Sequence, residues 1–481
     1  MAKDNTFNLV LDKFYQGLSP LAFNNPLTEV GGGGSASAMT NCDIINGDYL
    51  TQGPALANLT NGTQAGVVSE LVNFILDRAV TDSVTYGIGA TKLFKITPSA
   101  VTTDANWPQA ITSCTEGESV QLLKGKLYYF FNKSSGGEIG RYDLSSSFDH
   151  DWGSTVPTGA AALQHAPHPC DKKEDIMLFG NGRYAGTYIA ETNTLDVDKL
   201  DFGNDCEVAD IVYSAGYWYI AVNSGISGTN RTEGQIYLYD GSATTSLLQD
   251  ETGVGMQRIG FLYRVNGIIY VAFQDLTSAG LNIGYIMGSQ IKPLKKFTGT
   301  LPNYQQKTLY KNTILFVSSG SIYSAGAMIE DLPYQISQIA DGGYATVGAI
   351  AAPFGTPMVA STASTNYRLA KFSGYDVACS WKSLIIPTIQ DGILGYIDSI
   401  TVLTTSLGAN ARCDLQIQAN QGLTNSNTLS ITGTAKRVHN MTATGLAGIE
   451  DLRISLNWEN GNATNDCPIR KIFVKGHFLE N

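Results

Sequence analysis

A repeated pair of short apolar segments runs through the middle of the chain. The segment "YWYIAVN" (217–223) is followed by "GQIYLYDG" (234–241), and turn residues such as Gly, Asn and Asp bound both. The pair recurs as "GKLYYFFN" with "GEIGRYD" and as "GIIYVAF" with "GLNIGYI". Short apolar runs between turn residues are typical of β-strands. The pattern therefore predicts consecutive β-hairpins.

The second segment of each pair has an apolar anchor residue that recurs seven times, at intervals of 39 to 49 residues. A repeat of this length holds about four short strands, which is the size of one propeller blade. A lone four-stranded sheet cannot bury both faces, so such sheets pack face to face around an axis. We expect a β-propeller across residues 64–378 with seven blades, or six if one weak copy is not a blade. The anchors are Leu93, Ile139, Tyr188, Ile236, Ile283, Ile322 and Leu369.

The segment "VVSELVNFILDRAV" (67–80) is the one stretch that could be a helix. Its apolar residues fit neither the helical nor the strand period well. Because it is rich in β-branched residues and precedes another predicted strand, we predict a strand here.

The last hundred residues follow a different pattern. In "CDLQIQA" (413–419) and "DLRISLNW" (451–458), apolar and polar residues alternate strictly. This period of two is typical of an antiparallel sheet with one buried face. We therefore predict an all-β chain in which a jelly-roll-like β-sandwich over residues 379–481 follows the propeller.

Charge and composition exclude several classes of protein. Charged residues make up 15% of the chain, the net charge is −11, and there is no run of basic residues. A protein that grips nucleic-acid phosphates needs clustered Lys and Arg, so we expect DNA to pass without specific binding. The segment "MAKDNTFNLVLDKF" (1–14) lacks the apolar core of a signal peptide. We expect no membrane span and synthesis in the cytoplasm.

Candidate chemistry is sparse. The segment "HAPHPC" places His165, His168 and Cys170, three candidate zinc ligands, within six residues. The carboxylate pairs Asp149/Asp151 and Asp196/Asp198 are interpreted as solvated turn residues. Two prolines stiffen this run, so a rigid loop between two blades is the favoured interpretation. No GxSxG, P-loop or dinucleotide-binding motif is present. We therefore predict no catalytic residues, no cofactor and no enzyme activity. The seven widely spaced cysteines are predicted to be reduced.

The first 63 residues are predicted to form an extended N-terminal arm with a lead-in strand. The segment "EVGGGGSASAMTN" (29–41) has the composition of a linker, but too few residues precede it to fold as a domain. We interpret its glycines as the bend of an arm that packs on the propeller or on a neighbouring subunit. The residues assigned to this assembly arm are Phe14, Tyr15, Gly31, Gly32, Gly33 and Gly34.

The N-terminal segment "FYQGLSPLAFNNPLTEVGGGGSASAMTNCDIINGDYLTQGPALANL" (14–59) resembles the opening of tailed-bacteriophage virion proteins. The resemblance includes a Leu-Thr-x-Gly-Pro motif, here Leu50, Thr51, Gly53 and Pro54. The order of arm, propeller and β-sandwich is similar to the tail nozzle or tail hub of short-tailed phages. The resemblance implies a homo-oligomeric ring in the virion tail, assembled in the host cytoplasm. It also implies contacts with adaptor and fibre proteins around the DNA exit path.

Two other functions stay open at this stage. One is a tail-tip protein that binds a glycan on the host surface through propeller or sandwich loops. The other is a propeller glycosidase, although the Asp-box motif of sialidases is absent. A ring of subunits would favour the structural function, and a stable monomer that binds cell-wall glycan would exclude it.

Overall fold

A computed structural model gives the architecture of most of the chain. It describes residues 6–12, 14, 36–44, 49–225, 233–242, 245–248, 256–275, 278–288, 290–297, 299–326, 335–341, 346–363, 366–376, 379–388, 394–420, 424–442, 446–458 and 464–478. The predicted arm residues Tyr15 and Gly31 to Gly34 lie outside these ranges.

The described residues are almost entirely β-structure, with one helix, α1 (Trp152–Thr155). Contact clustering divides the chain into two compact units. Unit 1 comprises Met1–Leu56, Ser321–Gly342 and Phe372–Asn481, and unit 2 comprises Ala57–Gly320 and Gly343–Lys371. The predicted boundaries at residues 64, 379 and 481 stay predictions.

The first five strands are β1 (Thr6–Leu11), β2 (Ala36–Thr40), β3 (Cys42–Asp43), β4 (Thr51–Gln52) and β5 (Pro54–Asn58).

Unit 2 contains a series of small antiparallel sheets, numbered here in chain order. In sheets I to V, four strands lie side by side in chain order. Sheet I has β6 (Val72–Ile75), β7 (Thr85–Gly89), β8 (Lys92–Ile96) and β9 (Gln109–Ala110). Sheet II has β10 (Glu116–Leu123), β11 (Lys126–Lys133), β12 (Gly136–Tyr142) and β13 (Phe148–Asp149). Sheet III has β14 (Cys170–Lys173), β15 (Ile176–Asn181), β16 (Tyr184–Ile189) and β17 (Thr194–Asp201). Sheet IV has β18 (Cys206–Ser214), β19 (Tyr217–Ser224), β20 (Glu233–Tyr239) and β21 (Thr245–Leu248). Sheet V has β22 (Met256–Val265), β23 (Ile268–Asp275), β24 (Ser278–Met287) and β25 (Gln290–Phe297).

Two further groups of strands in unit 2 continue the series. Sheet VI has the pair β26 (Lys307–Tyr310) and β27 (Thr313–Ser318), which are antiparallel. Sheet VII has β30 (Thr346–Ala351), β31 (Met358–Ala363) and β32 (Asn366–Tyr375), also antiparallel. The strand β32 extends four residues past the boundary of unit 2. Between these groups the chain forms the hairpin β28 (Ser321–Gly326) and β29 (Gln335–Asp341), which clusters with unit 1.

Apolar side chains fill the spaces between consecutive sheets of unit 2. One buried cluster joins sheets I and II, and others join II with III, III with IV, and IV with V. A further cluster joins sheet VII to sheet I, through residues such as Met358 and Leu369 against Val72 and Phe94. The last sheet of the series therefore packs on the first. Face-to-face packing that returns to its starting sheet is the architecture of a β-propeller.

The repeat found in the sequence corresponds to one position in this architecture. All seven predicted anchor residues lie in strands and are at most 2% exposed. In sheets I to V and VII the anchor lies in the third strand, as Leu93 does in β8 and Leu369 does in β32. The predicted strand at 67–80 is also confirmed, because β6 occupies its centre.

Close packing explains glycines inside two of the third strands. Gly140 lies opposite Tyr129 in the register of sheet II, and a Cβ at Gly140 would lie 2.1 Å from the Tyr129 ring. Gly186 lies opposite Phe179 in sheet III, where a Cβ would lie 2.4 Å from that ring. A large ring in the second strand therefore lies over a glycine of the third.

Unit 1 contains two larger antiparallel sheets. One has the order β1, β41 (Ile469–Phe478), β35 (Gly395–Thr404), β38 (Val438–Thr442), and β39 (Ala447–Ile449) also pairs with β35. The other has the order β2, β33 (Ser380–Ser383), β40 (Asp451–Asn457), β36 (Arg412–Ala419), β37 (Thr424–Thr432), and β34 (Ile386–Pro387) also pairs with β40. The strands β3 and β4 form a separate pair. Residues of both large sheets form one buried cluster.

The N-terminal segment is part of this core. Strand β1 pairs along its whole length with β41, and β2 pairs with β33. Phe7, Leu9 and Phe14 are buried, and the Phe14 ring lies edge-on to Trp381 at 5.4 Å. The described parts of the predicted arm therefore complete the sheets of unit 1.

Among the described residues, no helix is long and apolar enough to cross a membrane.

Candidate functional site

Two cavities lie along the first strands of the sheets in unit 2. The first, of about 330 Å³, is lined by residues from all seven sheets, and the second has a volume of about 700 Å³. The second is lined by the starts of the first strands and the segments before them, and its acidic residues are Glu116, Glu118 and Glu207. Tyr304 and Gln305, just before β26, line both cavities. We take the first cavity as the candidate site because residues from all seven sheets converge there, with charged side chains of both signs among them.

Two carboxylates of this cavity connect neighbouring sheets. Asp171 on β14 accepts a hydrogen bond from the Tyr213 backbone N–H of sheet IV at 2.8 Å. Asp210 on β18 accepts one from the Leu262 backbone N–H of sheet V at 2.6 Å. Each carboxylate also accepts a backbone N–H from the residue that follows it. Their oxygens therefore serve the backbone of the fold.

Lys307 on β26 connects sheet VI to sheets IV and V. Its ammonium group donates to the Asp210 carboxylate, and to the Leu262 carbonyl at 2.6 Å. The side chains of this ion pair are 11% and 4% exposed. Desolvation by burial raises the pKa of Asp210, and the attraction of Lys307 opposes this. The pair joins sheets IV, V and VI at one point.

Asp77, which follows β6, contacts three other sheets. Its carboxylate accepts hydrogen bonds from the Tyr263 hydroxyl at 2.6 Å, the Thr308 hydroxyl at 2.5 Å and the Ala352 backbone N–H at 2.9 Å. Tyr263 and Thr308 belong to sheets V and VI, and Ala352 directly follows β30, the first strand of sheet VII. Loss of bulk water around the carboxylate raises its pKa, although the residue is exposed on the cavity side. Asp77 therefore links sheet I to the end of the series.

The remaining joints between sheets use amide and ammonium groups. The Asn73 side chain donates to the Gly117 carbonyl at 3.1 Å, which joins sheets I and II. Lys172 donates to the Leu122 carbonyl, which joins sheets III and II. The Gln306 side chain donates to the Val347 carbonyl at 2.6 Å, which joins sheets VI and VII. From sheet I to sheet VII, every joint between consecutive sheets thus contains a hydrogen bond between a side chain and the backbone.

A buried contact crosses between sheets II and VI. The Tyr304 hydroxyl donates to the Glu118 carboxylate at 2.5 Å, and the Gln305 side chain donates to the Glu118 carbonyl at 3.1 Å. The Asn132 amide donates to the other oxygen of the carboxylate at 2.7 Å. Desolvation by burial raises the pKa of Glu118 to about 8, so its carboxyl group holds a proton near neutral pH. This contact forms part of the wall that the two cavities share.

The sequence-predicted metal ligands do not converge. His165 donates from Nδ1 to the Lys133 carbonyl at 2.9 Å, whereas His168 donates from Nδ1 to the Gly180 carbonyl at 2.8 Å. The Cys170 thiol donates to the Ser119 hydroxyl at 3.4 Å. Burial lowers the pKa of His168 to about 4 and raises that of Cys170 to about 12. Within the described part of the chain, no three His, Cys, Asp or Glu side chains form a group that could hold a metal ion. The segment instead buries His168 beside sheet II.

The charged residues that join the sheets of unit 2 were not predicted from the sequence. Asp171, Asp210 and Lys307 lie in the first strands of sheets III, IV and VI, and no motif marks them. One signal was available, because "VADIVY" (208–213) places a carboxylate inside an otherwise apolar run. A buried carboxylate in a strand needs donors from a neighbouring element.

Comparisons with known proteins add little to this picture. No family model matches the chain, and no curated protein matches it. Among solved structures, an extracellular domain ascribed to a one component system of B. thetaiotaomicron aligns at 11% identity with a TM-score of 0.48. That alignment covers 93% of this chain and 62% of the other, so this chain spans less than two thirds of that protein.

Two glycoside hydrolases also align. An exo-β-1,3-galactanase from Phanerochaete chrysosporium aligns at 8% identity with a TM-score of 0.32, over 67% of this chain and 98% of the enzyme. A family 43 arabinoxylan arabinofuranohydrolase from Bacillus subtilis aligns at 10% identity with a TM-score of 0.30, over 88% and 99% of the two chains. Similarities at this level transfer no activity to this chain.

Proposed function

We propose that this protein is a non-catalytic structural subunit of a bacteriophage tail, in which unit 2 is a seven-bladed propeller and unit 1 a β-sandwich. The observation that carries the proposal is how the central cavity uses its charged groups. The carboxylates of Asp77, Asp171 and Asp210 accept hydrogen bonds from the backbone of other sheets. A general acid or nucleophile needs an oxygen directed at substrate, whereas these oxygens hold the sheets together.

The place in the virion is proposed from the N-terminal segment and from composition. The segment 14–59 resembles phage tail proteins, and its Leu-Thr-x-Gly-Pro motif leads into β5. Charged residues at only 15% suit a subunit that neighbouring subunits cover over much of its surface. On this proposal the protein forms a nozzle-like homo-oligomeric ring that contacts adaptor and fibre proteins.

The DNA path is then the lumen of the ring and not the axis of the propeller. Asp77 and Tyr263 meet across the axis, and Tyr304 meets Glu118. Both contacts join sheets that are not consecutive, so side chains cross the centre of unit 2 between the two cavities. The net charge of −11 would repel the DNA backbone from the wall of a lumen.

The mass of the purified protein in solution tests this proposal. We expect a closed oligomer several times the 51.5 kDa chain mass, visible as a ring by electron microscopy. The subunit interface should exceed about 2,000 Å², as in permanent assemblies. A protein that stays monomeric across the micromolar range, alone and with tail extracts, would refute the structural function.

A second candidate is a propeller glycosidase, and one observation favours it. Asp77 and Asp171 line a cavity, and desolvation raises the pKa of both carboxyl groups, as is required of a general acid. Release of reducing sugar from a panel of bacterial surface glycans tests it. We expect no release above that of the Asp171→Asn variant. Turnover that Asp171→Asn abolishes would establish the enzyme and contradict the proposal above.

A further inference from the structure

Three cationic side chains at the first cavity lack an ion-pair partner. Arg78 follows β6, Lys172 lies on β14 and Arg264 lies on β22, and all three line the cavity. Lys172 donates to the Leu122 carbonyl, and Arg264 donates to the Tyr213 carbonyl at 2.7 Å. The Arg78 side chain has no hydrogen-bond partner among the described residues, and its backbone carbonyl accepts from the Thr85 hydroxyl at 3.3 Å. None of the three forms an ion pair there. The cations come from sheets I, III and V, so the fold brings them together from distant parts of the sequence.

Asp171 attracts Lys172 and Arg264, but among the described residues no carboxylate of the cavity forms an ion pair with any of the three cations. Asp210 is paired with Lys307. The oxygens of Asp77 accept two hydroxyls and one backbone N–H, and those of Asp171 accept two backbone N–H groups. The carboxylates are directed at the fold, which leaves the guanidinium and ammonium groups available to a ligand.

We propose that the first cavity binds a monosaccharide-sized ligand through an anionic oxygen group, a phosphate or a carboxylate, held by Arg78, Lys172 and Arg264. Guanidinium groups match the geometry of such oxygens and can donate two parallel hydrogen bonds. An ammonium group adds a point charge with three donors. Three such groups from three sheets form a preorganised site, because the sheets hold their backbones fixed.

The charges themselves favour an anion. Lys172 and Arg78 are close enough to repel each other, and the pKa of Lys172 is lowered, first by desolvation and then by Arg78, while the Asp171 charge opposes this. An anion between them would remove this repulsion. On a chain with a net charge of −11, a concentration of unpaired cations at one cavity is exceptional.

The size and lining of the cavity indicate the rest of the ligand. The volume of about 330 Å³ is at the lower end for small-molecule sites and exceeds that of a phosphate ion. Phe74, Ile75 and Val212 give it apolar wall, and Tyr263 and Gln121 add polar groups. A sugar ring presents both apolar C–H faces and hydroxyls, so it fits this mixture. This site does not depend on the proposed role in a tail.

Isothermal titration calorimetry on the full chain tests the proposal with four probes: glucose 6-phosphate, glucuronate, inorganic phosphate and glucose. We expect saturable binding of the two acidic sugars and none of glucose. Equal affinity for inorganic phosphate would support the anion site and identify free phosphate as its occupant. Saturable binding of glucose as tight as that of glucose 6-phosphate, or binding of no anionic probe, would overturn the proposal.

Variants locate the binding site. Arg78→Gln and Arg264→Gln should each weaken binding of the anionic probes about tenfold, the loss of one charge-assisted hydrogen bond. Lys126→Gln is the matched control, because Lys126 is exposed on β11 and does not line the cavity. Equal weakening by Lys126→Gln would show non-specific attraction and refute the site. The oligomer mass of each variant, measured separately, shows whether assembly and binding fail independently.

Discussion

The ion pair of Asp210 and Lys307 is the joint at which removal of one side chain should have the largest effect. Replacement of Asp210 by Ala leaves the Leu262 backbone N–H without its acceptor and the Lys307 ammonium buried without a counter-charge. Breaking a buried pair by removing one partner costs about 3–5 kcal/mol. We predict that Asp210→Ala lowers the free energy of unfolding of unit 2 by this amount.

A double variant separates the contribution of the buried charges to stability from that of the hydrogen bond to Leu262. In Asp210→Asn with Lys307→Met, no charge stays buried, and the amide oxygen can still accept the Leu262 N–H. Because the desolvation cost of both ions disappears, we expect stability within about 1–2 kcal/mol of the wild type. The coupling in the cycle of single and double variants then measures the pair itself.

The measurement must report on unit 2 alone, because a chain of two units need not unfold in one step. Hydrogen exchange of the Leu262 amide, together with scanning calorimetry, meets this need. Lys199→Met is the control, since it breaks an exposed pair with Asp196 whose side chains are 43% and 40% exposed. We expect this control to cost less than about 1 kcal/mol. If Asp210→Ala lowers the free energy of unfolding no more than the control does, the ion pair of Asp210 and Lys307 does not hold the sheets together.

Three further predictions concern the core of unit 1 and pH. Leu9→Ala, in the buried face of β1, should cost about 2–5 kcal/mol and speed amide exchange in β41, whereas Asn8→Ala on the exposed face of β1 should change neither. Glu118 has a folded pKa of about 8 against 4.5 unfolded, so its contribution to stability falls as pH rises from about 4.5 to 8, and a Glu118→Gln variant should lose this slope in thermal melts. His168 has a folded pKa of about 4 against 6.5 unfolded, so its contribution falls as pH drops from 6.5 to 4. A His168→Gln variant that keeps the acid-side slope would contradict that assignment.

The repeat could be found in the sequence because each sheet buries an apolar residue at the same position. The third-strand anchors, such as Leu93 and Ile236, are buried between sheets. Because each sheet buries a residue at this position, the anchors recur at similar intervals along the sequence. The β-branched content of 67–80 likewise predicted the strand β6 correctly. The local pattern of apolar residues was sufficient to predict a strand wherever burial alone decides which residue type occupies a position.

For residues 1–63 an extended arm with a lead-in strand was predicted, and the sheet strand β1 was not, although a signal for it was present. In "TFNLVL" (6–11), Phe7, Leu9 and Leu11 alternate with other residues, which is the period of a half-buried strand. The partner, β41, lies at the other end of the sequence, so no local feature shows which sheet would accept this strand. The composition of 29–41 favoured a linker and an arm instead.

Pairs of charged residues on the axis could not be predicted for a related reason. Asp210 and Lys307 are far apart in sequence, and their meeting depends on the angle at which three successive sheets pack. Spacing in the sequence can also mislead, because His165 and His168 are three residues apart and bind the carbonyls of Lys133 and Gly180. Two residues that are close in the sequence have backbones that lie close together. Packing decides in which direction each side chain points.

The pairing of β1 with β41 also sets an order for folding. Nearly all of unit 2 lies between these two strands in the sequence, and sheets I to V are built from contiguous residues. Contacts that are local in sequence form faster than contacts across a long loop, and domains fold in order as the chain is made. Sheets I to V can therefore form before β41 is synthesised, whereas the sheet that contains β1 cannot be completed. Until then β1 presents an apolar face and an unpaired edge, which a second copy of the chain could occupy.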